Sequence, residues 1–69
     1  MTLKQAMRFV FNDIYLHIVE IVPNGPRDII AYGYKSVLRK RTDLNYCKVL
    51  HFLPASNNEM YIYVRRIYG

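Results

Sequence analysis

The run EMYIYVRRIY, from Glu59 to Tyr68, decides the fold. Aliphatic residues alternate in it with aromatic and basic ones. The aliphatic set is Met60, Ile62 and Val64, and the set between them is Tyr61, Tyr63 and Arg65. Because the side chains of a β-strand point alternately to the two faces of a sheet, this pattern predicts a strand with an aliphatic inner face. The other face presents tyrosine and arginine, an unusual surface to leave in water.

Two earlier stretches predict a hairpin. The run IYLHIVEIV, residues 14–22, is rich in β-branched residues and ends at a proline, which predicts a strand. The turn sequence PNGP, residues 23–26, follows it and favours a tight reversal. The segment from Asp28 to Lys35 then predicts the returning strand, with Gly33 as the position of a bulge. A helix over residues 28–38 is the alternative, because apolar residues also recur there at helical spacing.

The beginning of the chain predicts a short helix from Leu3 to Phe11. Thr2 and Gln5 have the spacing of a capping box, in which each side chain binds the backbone amide of the other residue. The inner face of this helix would carry Leu3, Ala6, Met7 and Val10. A strand over residues 6–11 is the alternative, but the strong helix formers in this segment favour the helix.

The middle of the chain predicts a second short helix and the start of a second hairpin. A helix or turn is expected from Ser36 to Asp43, capped by Ser36. The run YCKVLHFL, residues 46–53, predicts a third strand, and the polar PASNN, residues 54–58, predicts the loop before the final strand. The element order is therefore α-β-β-α-β-β. It indicates one α+β domain over residues 1–69, with a small, mostly antiparallel four-stranded sheet and one or two short helices on one face.

The composition limits which kinds of partner the protein is expected to bind and in which cellular compartment it is expected. Ten Lys and Arg against five Asp and Glu give a net charge of +5, which favours acidic partners, although it lies within the range of about 2–8 common for small soluble domains. A single cysteine, Cys47, allows no internal disulfide, so the cytoplasm of a host cell is the expected location. Lys4 and Arg8 interrupt the first apolar residues, so no signal sequence is expected. The longest stretch without Lys or Arg, Phe9 to Pro26, contains Asp13, Glu20 and two prolines, so neither a transmembrane helix nor a membrane partner is expected.

The residues that could carry catalysis are few. Cys47, His17 and His51 are the candidates for nucleophilic or metal chemistry, and their spacing lacks the close pairs typical of a zinc site. A catalytic Cys-His pair also needs an orienting third group, which no pattern here indicates. The three glycines are too scattered for a phosphate-binding loop. The sequence therefore predicts a non-enzymatic protein with no metal and no cofactor.

Binding is the class of function that the tyrosines and cations favour. If the second strand also turns its tyrosines outward, the uncovered side of the sheet becomes an aromatic platform with basic edges. The candidate binding residues are Tyr32, Tyr34, Lys35, Tyr61, Tyr63 and Arg65 on this platform, a possible extension at Tyr15 and His17, and the basic cluster Arg39, Lys40 and Arg41 near the second helix.

Three interpretations fit this surface. Tyr and Arg are enriched at the hot spots of protein interfaces, which favours a protein partner. Aromatic rings beside cations also hold single-stranded nucleic acid, at about 1–3 kcal/mol per stacked base. Cross-strand packing of these side chains could instead serve only to stabilise a thin sheet. The basic cluster taken alone is also typical of a solvated helix end, where cations offset the helix dipole.

The opening TLKQAMRFV, the following Asn12-Asp13 and the closing MYIYV resemble short orphan accessory proteins of phages and mobile elements in Gram-positive bacteria. The resemblance covers most of the chain and implies no catalytic residue. It implies an anti-defence type of protein that inhibits or modulates a larger host protein or nucleoprotein complex, for example a CRISPR effector. The basic charge departs from the acidic, nucleic-acid-mimicking style common among such inhibitors. A nucleic-acid-binding module is the alternative, and a homodimer would also cover the exposed tyrosines.

Overall fold

Four strands and two short helices form the fold in the order that the sequence predicts. The structure is a computed structural model and describes residues 1–66. The strands are β1 (Tyr15–Glu20), β2 (Asp28–Tyr34), β3 (Lys48–Ser56) and β4 (Glu59–Arg65). The helices are α1 (Leu3–Met7) and α2 (Lys35–Leu38), and a single 3₁₀ turn follows at Thr42–Leu44. The predicted α+β class and element order are confirmed.

The strands lie in the spatial order β2-β1-β4-β3. Both predicted hairpins are present, since β1 pairs with β2 and β3 pairs with β4 in antiparallel fashion. The two hairpins join through a parallel pairing of β1 with β4, which makes the sheet mixed. The last strand of the chain is therefore an interior strand. Ile62 on β4 lies between Ile18 on β1 and Phe52 on β3.

One hydrophobic core fills the space between the helices and the inner face of the sheet. The cluster consists of Leu3, Met7, Val10, Leu16, Ile18, Ala31, Leu38, Leu44, Cys47, Ile62 and Val64. Ile62 and Val64 are fully buried, and Met60 packs against the cluster from its margin. Fully burying one such aliphatic side chain contributes about 1.5–3 kcal/mol. The alternation in β4 therefore directs its aliphatic residues into the core, as the sequence predicts.

The capping box at the start of α1 is present. The backbone amide of Gln5 donates to Thr2 Oγ1 at 3.2 Å, and the amide of Thr2 donates to Gln5 Oε1 at 2.9 Å. The predicted extension of this helix to Phe11 is wrong, because α1 ends at Met7 and tighter turns follow. In these turns the amides of Arg8 and Phe9 donate to carbonyls three residues earlier. Val10 lies beyond the end of α1 and is still buried in the core, so these turns reach the core without a longer helix.

The segment after the PNGP turn forms a strand, which excludes the helix over residues 28–38. The change to helix comes at Lys35, directly after β2, and the N-cap is Tyr34 without a side-chain hydrogen bond. Ser36 therefore lies inside α2, and its prediction as the cap is wrong. Gly33 has a φ of +138°, a conformation that side-chain-bearing residues rarely adopt. The bulge between β1 and β2 lies elsewhere, opposite Ile18 and Val19.

The boundaries of the other strands also differ from the prediction. The first strand is shorter than residues 14–22, and the third begins at Lys48 and continues to Ser56, so the predicted PASNN loop shrinks to Asn57-Asn58. Pro54 lies within β3 because this strand forms an edge of the sheet, where a missing amide hydrogen is tolerated. The final strand ends at Arg65, and the predicted continuation over residues 67–68 lies outside the described residues.

Candidate functional site

The side of the sheet opposite the helices has no covering layer among residues 1–66, and we call it the open face. Strand register decides which side chains share it, because paired residues of neighbouring strands point to the same side. It carries Tyr15 and His17 from β1, Tyr32 and Tyr34 from β2, His51 and Leu53 from β3, and Tyr61, Tyr63 and Arg65 from β4. The expected tyrosine platform and its extension into β1 therefore share one surface.

A row of aromatic rings crosses three strands of the open face. The rings of Tyr34 and Tyr15 meet edge to face at 5.3 Å between centroids. Tyr15 contacts His17 at 5.1 Å, and His17 contacts Tyr61 at 4.6 Å with tilted planes. These are the distances and inclined geometries that aromatic pairs prefer, each worth about 0.5–1.5 kcal/mol beyond burial. The row holds its own rings in place.

Tyr63 is held separately, by contacts with two other side chains. The ring of His51 stacks on it at 4.4 Å between centroids and 24° between planes. The guanidinium carbon of Arg27 lies 5.6 Å from the centroid of the same ring. His51 belongs to β3, and Arg27 directly precedes β2, so the two side chains come from strands on opposite sides of β4 in the sheet order. Two side chains of the protein itself are thus in contact with this ring.

The outward-projecting part of the open face lies at its two edges. Tyr32 is 66% exposed and Tyr34 is 45% exposed, whereas Tyr61 and Tyr63 on the interior strand β4 are half-buried. Leu53 on β3 is also exposed. The solvent-exposed part of the open face is therefore apolar and aromatic at β2 and β3, with packed rings between them.

Charges of both signs occur on the open face. Glu59 Oε1 lies 3.9 Å from Nε2 of His17, and Arg65 pairs across the hairpin with Lys48. Arg66 turns to the other side, where its Nε lies 2.7 Å from Oε2 of Glu20. This contact is an ion pair without an aligned hydrogen bond, since the buried Oε2 atom has no partner of suitable geometry within the described chain.

The cations expected beside the platform are distributed differently. Lys35 does not border the open face; its Nζ donates to the carbonyl of Val10 at 3.0 Å, on the helical side. Arg41 forms two 3.1 Å hydrogen bonds with the Asp43 carboxylate. These bonds lower the pKa of Asp43 and raise that of Arg41. The basic cluster at residues 39–41 is therefore divided, because Arg41 is neutralised and the other two cations are exposed.

The helical side contains a feature that the sequence analysis did not identify. An open depression of about 430 Å³ lies between the two helices, and we call it the basic groove. Its lining consists of Lys4, Met7, Arg8, Lys35, Arg39 and Asn45. The spacing of Lys4 and Arg8 indicates a basic side of α1, but only the packing of α1 near α2 brings these cations beside Lys35 and Arg39.

The three candidates for nucleophilic or metal chemistry are not assembled into a site. Cys47 is buried in the core, and this burial raises the pKa of its thiol. His17 and His51 lie on the open face and contact different tyrosines. Within residues 1–66, no group of three or more His, Cys, Asp or Glu side chains could hold a metal ion.

Comparisons with protein-family models, with curated proteins and with solved structures found no match for this chain. No helix within residues 1–66 has the length and apolar character needed to cross a membrane. The geometry defines a small α+β protein with one mixed sheet, an aromatic open face on one side and a basic groove on the other.

Proposed function

We propose that this protein acts by binding a larger protein through its open face, and that it inhibits or modulates that protein by occupying part of its surface. The observation that carries the proposal is the exposure of Tyr34, at the end of the packed row of rings, and of Tyr32 on the same strand. Tyrosine in such a setting supplies a large, amphipathic contact area at the centre of protein interfaces. Binding of this kind requires a complementary surface and no catalytic group.

The arrangement of the rings on β4 favours a protein partner over nucleic-acid bases. A stacked base needs a free aromatic face, as in sheet-faced modules that bind single strands. Tyr63 already contacts His51 and Arg27, and Tyr61 contacts His17. The negative carboxylate of Glu59 on the same face would also repel a phosphate backbone. Edge contacts and hydroxyl groups, which remain available, suit a protein surface.

The mode of action that we propose is occlusion inside a host cell. The resemblance to accessory proteins of phages and mobile elements supports a host protein as target, such as a defence effector of the CRISPR type. A small domain with an uncovered sheet face can block the access of a larger protein to its substrate at one-to-one stoichiometry. Neither catalysis nor a cofactor is part of this proposal.

The experiment compares two double variants in their affinity for a captured partner. The tagged protein is used to isolate host proteins from a lysate, and the partner is identified, purified and titrated. In Tyr32→Ala/Tyr34→Ala, two exposed rings are removed from the open face. Loss of a hot spot costs at least about 2 kcal/mol, so we expect at least about 30-fold weaker binding.

The matched control removes two rings from the other side of the molecule. Phe9 and Phe11 follow α1 and are 77% and 75% exposed, so Phe9→Ala/Phe11→Ala deletes equally accessible aromatic surface. We expect this variant to bind the partner like the unchanged protein, with circular dichroism confirming that both variants fold. Equal losses in the two variants, or a loss in the control alone, would exclude the open face as the binding surface.

A further inference from the structure

We propose that the basic groove binds the phosphate backbone of a nucleic acid, on the opposite side of the molecule from the open face. The proposal is independent of the proposed protein-binding function, because it uses different residues on a different surface. The proposed nucleic-acid site is therefore the groove, and not the tyrosines of the open face that the residue types alone would suggest.

The groove is formed by two pairs of cations on two helices. Lys4 and Arg8 are four residues apart at α1, and Lys35 and Arg39 are four residues apart at α2. This spacing places the members of each pair one above the other on the same side of a helix. All four side chains line the same depression. Four positive charges are thus concentrated on one concave surface.

Nothing in the described chain neutralises this charge. None of the four cations forms an ion pair within residues 1–66, and no Asp or Glu lines the groove. By contrast, the nearby Arg41 outside the groove is paired with Asp43. Like charges at this spacing repel one another, so an anion that binds among them relieves the repulsion as well as forming new ion pairs.

One of the four cations is fixed in place. Lys35 Nζ donates to the carbonyl of Val10 at 3.0 Å, which ties the beginning of α2 to the segment after α1. Two of its three ammonium hydrogens stay available for an anion. Arg8 and Arg39 are exposed, so their guanidinium groups can form paired hydrogen bonds with phosphate oxygens.

The shape of the groove favours a polymer backbone over a small phosphorylated molecule. It is an open depression, and of the described residues Met7 and Asn45 line it beside the cations. No aromatic side chain within residues 1–66 lines the groove to stack on a base, and the groove is open rather than enclosed. A surface of this type recognises repeated phosphates through charge and distinguishes poorly between sequences.

The salt dependence of binding gives a measurable expectation. Each phosphate neutralised on duplex DNA contributes about −0.9 to the slope of log K against log salt concentration, so four cations give a slope of about −3.6. Raising the salt from about 50 to 200 mM should then weaken binding about 150-fold. With two of the cations removed, the slope falls to about −1.8 and the same change in salt weakens binding about 12-fold.

The test uses fluorescence anisotropy with a duplex oligonucleotide of arbitrary sequence and the full chain. In Arg8→Ala/Arg39→Ala, two exposed cations are removed from the groove. The matched control, Lys48→Ala/Arg65→Ala, removes the same amount of charge from the hairpin on the open face. We expect the halved slope in the groove variant and an unchanged slope in the control.

Several results would overturn the proposal. Absence of salt-sensitive binding to the duplex at low ionic strength would do so, as would a slope that falls equally in both variants. A slope that falls only in the control would place nucleic acid on the open face instead. Vesicles containing phosphatidylserine are the second probe in this test. Binding of the protein to the vesicles, with none to the oligonucleotide, would assign the groove to an anionic membrane surface.

Discussion

Replacing Ile62 by valine tests whether β4 directs its aliphatic side chains into the core. Ile62 is fully buried, between Ile18 on β1 and Phe52 on β3. The substitution removes one methylene group, worth about 0.8 kcal/mol in transfer free energy, and leaves a small cavity. The free energy of unfolding should therefore fall by about 1 kcal/mol. In a domain of this size, such a loss lowers the melting temperature by about 4–8 °C.

The assay is urea unfolding followed by circular dichroism, with Ile29→Val as the matched control. Ile29 lies on β2 and is 57% exposed, so the same chemical change should cost less than about 0.5 kcal/mol there. For a chain this short the dependence on urea is about 1 kcal/mol per molar, so the midpoint for Ile62→Val should shift by about 1 M. Equal shifts in the two variants, or a larger shift for Ile29→Val, would refute the assignment of Ile62 to the core.

Two further substitutions and one thiol reagent test local features of the fold. Thr2→Ala should lower the free energy of unfolding in urea by about 1 kcal/mol, because it removes the capping hydrogen bond to Gln5; an unchanged midpoint would contradict the cap. Gly33→Ala should cost about 1–3 kcal/mol in the same assay, because alanine is strained at a φ of +138°, and a neutral result would argue against this backbone conformation. The thiol of Cys47 should react slowly with a thiol reagent at neutral pH, since burial blocks access and raises its pKa, and it should react faster in urea; rapid labelling of the folded protein would place it outside the core.

The local features of this fold could be predicted from the sequence because short-range patterns determine them. The alternation in β4, the capping box at Thr2 and the PNGP turn each depend on residues a few positions apart. The ends of the helices and strands were predicted less well. Pro54 was expected to stop β3, yet an edge strand tolerates proline, and the sequence does not state which strands are edges.

The pairing of β1 with β4 could not be predicted, because it joins segments separated by most of the chain. No turn joins the two strands, so no short-range pattern fixes their register. The same limitation applies to Lys35. Its sequence position suggested the edge of the open face, but the start of α2 directly after Tyr34 turns it toward Val10 on the helical side.

Part of the candidate site followed from the alternation of residues, and part did not. Strand register placed Tyr32, Tyr34, Tyr61 and Tyr63 together, as the period of two predicts. The contacts of Tyr63 depend on His51 and Arg27, which come from separate segments. The basic groove likewise depends on the packing of two helices whose cations are distant in sequence.

The central claim, that the open face binds a larger protein, is tested most directly by photo-cross-linking. Benzoylphenylalanine is introduced in place of Tyr32 on the open face or Phe9 on the helical side, and each variant is irradiated in host cells. Both positions are exposed aromatic residues, so the reagent is equally accessible at each. We predict a covalent adduct with one larger protein from position 32 and none from position 9. An adduct from position 9 alone, or equal adducts from both positions, would contradict the claim.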